Sequence, residues 1–139
     1  MSINKFNSEG YYDPTAYEAM TAVEKEERAL RAFRPIVYIC LPYAGNVSEN
    51  IENARKYSRF AVDKGYIPVA PHLLFPQFLN DNNPKERQLG LFFGNALMSK
   101  CSEVWVFGDR ISAGMESEIR RAKWKNYRLR YFTNTCEEV

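Results

Sequence analysis

The sequence predicts a three-layer α/β domain of flavodoxin or Rossmann type, with a parallel sheet of four to five strands and an additional N-terminal helix. Two observations carry the prediction. Apolar, β-rich runs at 36–41, 66–70, 103–107 and 128–132 alternate with segments of helical period, and such alternation builds parallel sheets through right-handed crossovers. The first run, Ile36-Val37-Tyr38-Ile39-Cys40-Leu41, lacks polar alternation, as expected of a strand covered on both faces. The flavodoxin pattern makes the strand order about 2-1-3-4, with the switch point between the strands at 36–41 and 103–107.

The 139 residues are 45% hydrophobic and 26% charged, with a net charge of +2, an ordinary composition for one domain with a normal core. That balance offers no dedicated nucleic-acid surface. The basic residues between Arg120 and Arg130 read as a solvated helix face and strand end. Cys40, Cys101 and Cys136 are odd in number and show no short metal spacing. A disulfide framework and a metal site are therefore not expected, and the expected compartment is the cytoplasm. No apolar signal region opens the sequence, and no stretch approaches the roughly 18 apolar residues of a membrane span.

Residues 1–12 read as an irregular arm and 13–139 as a single domain. Asp13-Pro14 looks like an N-cap followed by proline at the first helical position. From there to Phe33, Tyr17, Met20, Val23, Leu30 and Phe33 form an amphipathic stripe that packs either within the fold or against a second subunit. Pro35 ends this helix. After the first strand comes the turn Pro42-Tyr43-Ala44-Gly45-Asn46, then a helix from an N-cap at Ser48 to about Lys64, with Gly65 as its C′ glycine. Pro68 demotes the strand at 66–70 to an edge. The segment from Pro71 and His72 reads as a long apolar loop, able to wall a pocket or meet another subunit. The helix at 84–100 carries Leu89, Leu91, Phe92, Phe93, Leu97 and Met98 and reads as buried over much of its surface. Gly90 and Gly94 would let another backbone approach it. Residues 103–122 spell strand, turn and helix, with Met115, Ile119 and Ala122 as the buried stripe. After the last strand, the polar tail from Thr133 reads as frayed.

In such a sheet ligands sit outside the carboxyl ends of the strands, so the turns at 42–47 and 108–114 open on one crevice. Helix starts there offer free N–H groups to an anion. Candidate ligand contacts are Tyr43, Gly45, Asn46, His72, Ser112, Gly114 and Met115. Neither a Gly-x-Gly-x-x-Gly fingerprint nor a P-loop is present, and no cofactor is expected. His72 is the only histidine, which leaves no Ser-His-Asp triad. A structural hydrogen-bonding role competes with a functional one for it. Glu116 and Glu118 lie about 200° apart on a helix, so they cannot act as a pair. Glu118 falls nearer the buried stripe, where a carboxylate can serve as a nucleophile in glycosyl chemistry; the alternative is an acid that merely complements the helix dipole.

The run Val104-Trp105-Val106-Phe107-Gly108-Asp109-Arg110-Ile111-Ser112-Ala113-Gly114-Met115-Glu116-Ser117-Glu118-Ile119 resembles a family of bacterial and phage proteins with a nucleoside 2-deoxyribosyltransferase-like fold, the DUF4406/DUF7768 group. Tyr38 to Gly45 and Ala70 to Phe78 match its pattern too, and the likeness covers roughly residues 10 to 133. In the characterised relatives a glutamate four positions after a glycine attacks the anomeric carbon of the deoxyribose. Gly114 and Glu118-Ile119 match, so the resemblance implies Glu118 as nucleophile. It implies Ser112 as a phosphate-binding residue, which leans the substrate towards a nucleotide. Asn95 stands where the relatives carry an aspartate, and an amide is neither acid nor base. Asp109 is the nearest acid available to protonate the leaving base.

These readings together suggest cleavage or transfer of an N-glycosidic bond in a nucleoside or nucleotide. The alternatives are a non-catalytic nucleotide-binding protein and an oligomeric accessory protein. The apolar helix at 84–100, the segment 73–79 and the leading helix together suggest a homo-oligomer.

Overall fold

The computed structural model describes residues 14–42 and 45–139, with side chains from residue 21 onward. The expected arm at 1–12 and the ligand contact at Tyr43 lie outside the described residues. The chain forms two compact units, Met1–Phe33 and Arg34–Val139. The first contains helix α1, Pro14–Leu30, whose solvated side carries the i,i+4 pairs Glu24–Arg28 and Glu27–Arg31.

The second unit runs β1 (Ile36–Cys40), α2 (Val47–Asp63), β2 (Ile67–Val69), α3 (Pro71–Leu74), a 3-10 turn (Phe75–Gln77), α4 (Pro84–Met98), β3 (Glu103–Phe107), α5 (Ala113–Trp124) and β4 (Arg128–Phe132). Its four strands are ordered β2-β1-β3-β4 and all pairs are parallel. The expected order is therefore the observed one, within the lower end of the expected strand count. Pro68 sits on the edge strand β2, where its missing donor costs no ladder bond.

β1 and β3 face two cores. Val37 and Ile39 of β1 and Leu41 just beyond it pack with Trp105 and Phe107 of β3 and with Ala54, Tyr57 and Ala61 of α2. The alternate residues Tyr38, Cys40, Val104 and Val106 pack with Met98 of α4 and Met115, Ile119 and Ala122 of α5. The period-2 alternation of side chains across a strand separates these sets. Phe107 is the centre of the first core, stacked on Tyr57 at 4.1 Å and on Phe132 at 5.0 Å between ring centroids.

Several expectations are corrected. The N-cap of α2 is Asn46, whose Oδ1 accepts the Glu49 N–H at 3.1 Å, so the helix begins before Ser48. Residues 71–77 are not an open loop but the short helix α3 and the 3-10 turn, since Pro71 and Pro76 each sit at the start of a helical turn. Helix α4 buries only Gly94 and Met98, while Leu91 and Phe92 are 57% and 66% exposed. A continuous apolar run cannot put every side on a single-faced sheet contact. Its glycines make room for side chains, not for a backbone: a Cβ at Gly90 would meet Leu79 Cδ1 at 3.5 Å, and one at Gly94 would meet the Tyr38 hydroxyl at 3.4 Å.

The tail is not frayed either. It folds back antiparallel along β4 through Thr133 N–H to Glu137 C=O at 2.8 Å and Val139 N–H to Tyr131 C=O at 2.9 Å. Arg130 grips the Glu138 carboxylate with Nε and Nη2, both at 2.8 Å, a bidentate geometry that locks the strap. The buried Glu103 anchors the same arginine while accepting from Trp105 Nε1 at 3.0 Å and Tyr66 Oη at 3.1 Å. Burial pushes the Glu103 carboxyl up, but these donors outweigh it and hold it below the usual range. The strap also covers the open edge of β4, a site of unwanted strand pairing. Because Phe107 is fully buried between two rings, Phe107→Ala should cost about 3–5 kcal/mol, read as a shift in the urea midpoint with unchanged slope.

Candidate functional site

The residues that meet at the switch point come from β1 and α5. Gly108, with φ of 101°, turns the chain off β3 in a conformation that favours glycine. Ser112 then caps α5: its Oγ accepts the Met115 N–H at 3.3 Å, and its own N–H points to Met115 Sδ at 3.5 Å. The cap uses an acceptor lone pair of the Ser112 hydroxyl and leaves its proton to donate. Two residues on, Gly114 has no atom closer than 4.0 Å to where a Cβ would stand, so the backbone of the first turn is open to an incoming group.

One turn further, Glu118 lies on the side of α5 that faces β1. Tyr38 and Cys40, two apart on one face of the strand, pack against the same stripe of α5, and their hydroxyl and thiol lie near enough to its carboxylate to act on it as donors. Its Oε2 is buried and has no hydrogen-bond partner. Among the described residues no ion pair involves Glu118. Burial raises its pKa from 4.5 to about 7, against the lowering effect of Cys40 and Tyr38. The phenol and the thiol are themselves raised well above their usual values, by burial first and then by the neighbouring carboxylate. Both therefore stay protonated at neutral pH and act as donors. Glu116 contrasts with Glu118: it is exposed and pairs with Arg120 at 3.4 Å.

The other expected residues are distributed around this centre. Gly45, with φ of 97°, and the cap Asn46 stand exposed at the start of α2. His72 in α3 is half-buried and hydrogen-bonded to the Leu41 backbone at the end of β1; burial, more than that bond, sets its pKa below the ordinary value. Asn95 is half-buried on α4, next to the Gly94 that faces Tyr38. Asp109 is exposed, and its charge acts on Tyr57 in the opposite layer. Met115 is buried, with its thioether turned to the Ser112 N–H. Tyr38 and Cys40 were not among the residues singled out from the sequence. The signal was their i,i+2 spacing on a strand whose polar groups have no solvent face. Among the described residues no group of three or more metal-ligating side chains occurs, and no helix is long and apolar enough to cross a membrane. Clefts of about 480 Å³ beside Pro76 to Asp81 and about 300 Å³ beside Trp105 and Arg130 lie elsewhere.

Comparison with known proteins places the chain in a family. The family model described as "Domain of unknown function (DUF7768)" matches residues 35–132. Among solved structures, a 2-deoxyribosyltransferase from the psychrotolerant bacterium Bacillus psychrosaccharolyticus superposes with a TM-score of 0.60 at 13% identity, covering 70% of this chain and 72% of the other. That likeness is one of fold. No curated protein matches by sequence.

The raised Glu118 pKa makes a stability prediction. A carboxyl whose folded-state pKa lies above its unfolded value contributes fully below about 4.5 and loses that contribution as pH rises through about 7. Between pH 4 and pH 8, Glu118→Gln should thus gain on the wild type by up to roughly 3 kcal/mol. Denaturant unfolding at both pH values checks it.

Proposed function

Because the chain belongs to the DUF7768 family and buries one carboxylate at the switch point of its sheet, we propose that it binds a nucleoside or nucleotide and cleaves or transfers the N-glycosidic bond. The observation that carries the reading is Glu118, held by Tyr38 and Cys40 with Oε2 unpaired. A structural acid in a first turn would be exposed and paired, as Glu116 is. A buried carboxylate with no cation beside it costs stability, which supports a functional role for it. The fold shared with a 2-deoxyribosyltransferase supports the same substrate class.

In the proposed reaction the ionised Glu118 attacks the anomeric carbon. The bond from that carbon to the base nitrogen breaks, its electron pair leaves with the base, and a glycosyl ester forms on the glutamate. Water, or a second base, then displaces the carboxylate. Tyr38 holds the nucleophile, and the hydroxyl proton of Ser112 with the open backbone at Gly114 would meet a phosphate. Gly45 and Asn46 would line the neighbouring wall of the crevice. Asn95 would hydrogen-bond the sugar, and Asp109 would supply the proton that the departing base takes up. Met115 would shape the pocket from below through its backbone.

The test is release of free base from deoxynucleoside monophosphates. Glu118→Ala should abolish it, and kcat/KM should rise with pH through about 7, as the nucleophile ionises. No turnover across a broad panel of nucleosides and nucleotides would remove the catalytic reading. Asn95, where an acid would be expected of an active enzyme, favours a second reading in which the crevice binds a nucleotide without turnover. Tight calorimetric binding with no product would select it.

The exposed Leu91 and Phe92 of α4 support a homo-oligomer, and the free thiols of its three cysteines suit the cytoplasm. Light scattering should give a mass above that of one chain; a monomer would remove the oligomer from this reading.

A further inference from the structure

A buried free cysteine is usually a small apolar filler. Cys40 has no exposed surface, yet its thiol does not face carbon alone. It ends β1 on the face it shares with Tyr38, both pack against Met115, Ile119 and Ala122 of α5, and both lie near the Glu118 carboxylate that these residues flank. Opposite them α5 supplies Glu118, flanked by the apolar Met115, Ile119 and Ala122. β3 brings only Val104 and Val106 to this core, and α4 brings Met98.

We infer that Cys40 is a positioning residue: its S–H and the Tyr38 O–H form a two-donor cradle that orients the Glu118 carboxylate and leaves Oε2 free. The inference rests on the role proposed for Glu118. Its physical basis is the shortage of other partners. The charged and titratable groups around Glu118 are few. On β1 they are Tyr38 and Cys40, and past the end of α4 is Cys101, whose field reaches Tyr38. On α5, Arg121 has a buried Nε without a partner, and Glu116 is engaged with Arg120. No cation is paired with Glu118 among the described residues, so neutral donors alone offset the burial of its charge.

The choice of thiol has a chemical consequence. A carboxylate accepting strong hydrogen bonds becomes a weaker base and a weaker nucleophile. A thiol is a weaker donor than a hydroxyl, so it orients the carboxylate while taking less of its basicity than a hydroxyl in its place would. The thiol itself is held protonated by burial and by the adjacent glutamate, which makes it a donor and not a competing nucleophile.

The experiment is the titration of Glu118 in the full chain, followed by carbon-13 NMR of labelled glutamate side chains and assigned with Glu118→Gln. Cys40→Ala should move the midpoint upward by about half a pH unit or more, because the ionised form loses a donor. Cys40→Ser, which puts a stronger donor in its place, should bring it below the wild-type position. Midpoints unchanged in both variants would overturn the inference, as would a wild-type Glu118 titrating in the ordinary carboxylate range. If Cys40→Ala fails to fold, Cys40→Ser alone decides through the downward shift. The titration needs no substrate, so a cradle that behaves as expected in a protein without turnover would remove the catalytic reading and leave this one standing.

Discussion

The structure depends on β1 being buried on both faces. A central parallel strand has no solvent side, so each of its residues must find a partner in one of two layers. Val37 and Ile39 find it against α2 and the rings of β3. Tyr38 and Cys40 face α5, and they carry polar groups into a place that water does not reach. A buried polar group without a partner costs on the order of 1–3 kcal/mol. Glu118 stands opposite these two, and its own burial there raises its pKa against their lowering effect. The site is thus a consequence of how the central strand solves its own hydrogen-bonding problem.

The opposite layer shows the same physics resolved differently. Glu103 is also a buried carboxylate, but it receives Trp105, Tyr66 and Arg130, and its pKa falls below the usual range. It is tied up at the amino end of β3 and secures the strap through Arg130 and Glu138. Glu118 has neutral donors only, and its pKa rises to about 7. Two glutamates in one sheet protein are separated in role by the presence or absence of an arginine. The first is held ionised by its donors and arginine; the second, without a cation, is held towards its neutral form by burial.

Glycine placement connects these layers to the crevice. Gly94 lets Tyr38 lie against α4, with its hydroxyl where a methyl group would only just fit. Gly108 takes a backbone conformation that other residues rarely adopt and turns the chain towards the Ser112 cap. The cap then starts α5 at the height that sets Glu118 opposite β1. A chain with a different register at 108–112 would present Glu116 or Ile119 to Tyr38 instead.

Much of this was legible in the sequence. Unbroken apolar runs between helical periods determine a parallel sheet, because backbone polarity must be satisfied by pairing and apolar faces by layers. The edge position of Pro68, the C′ glycine at 65 and the advantage of Glu118 over Glu116 follow from local geometry alone. The tertiary structure decided what local rules cannot reach. It placed Tyr38 and Cys40 against a helix some eighty residues later, turned much of α4 outward, and closed the tail through Arg130 and Glu138. Periodicity reports which face of an element is apolar, whereas partners distant in the chain are set by how the layers stack. That stacking makes Glu118 a buried carboxylate between two donors.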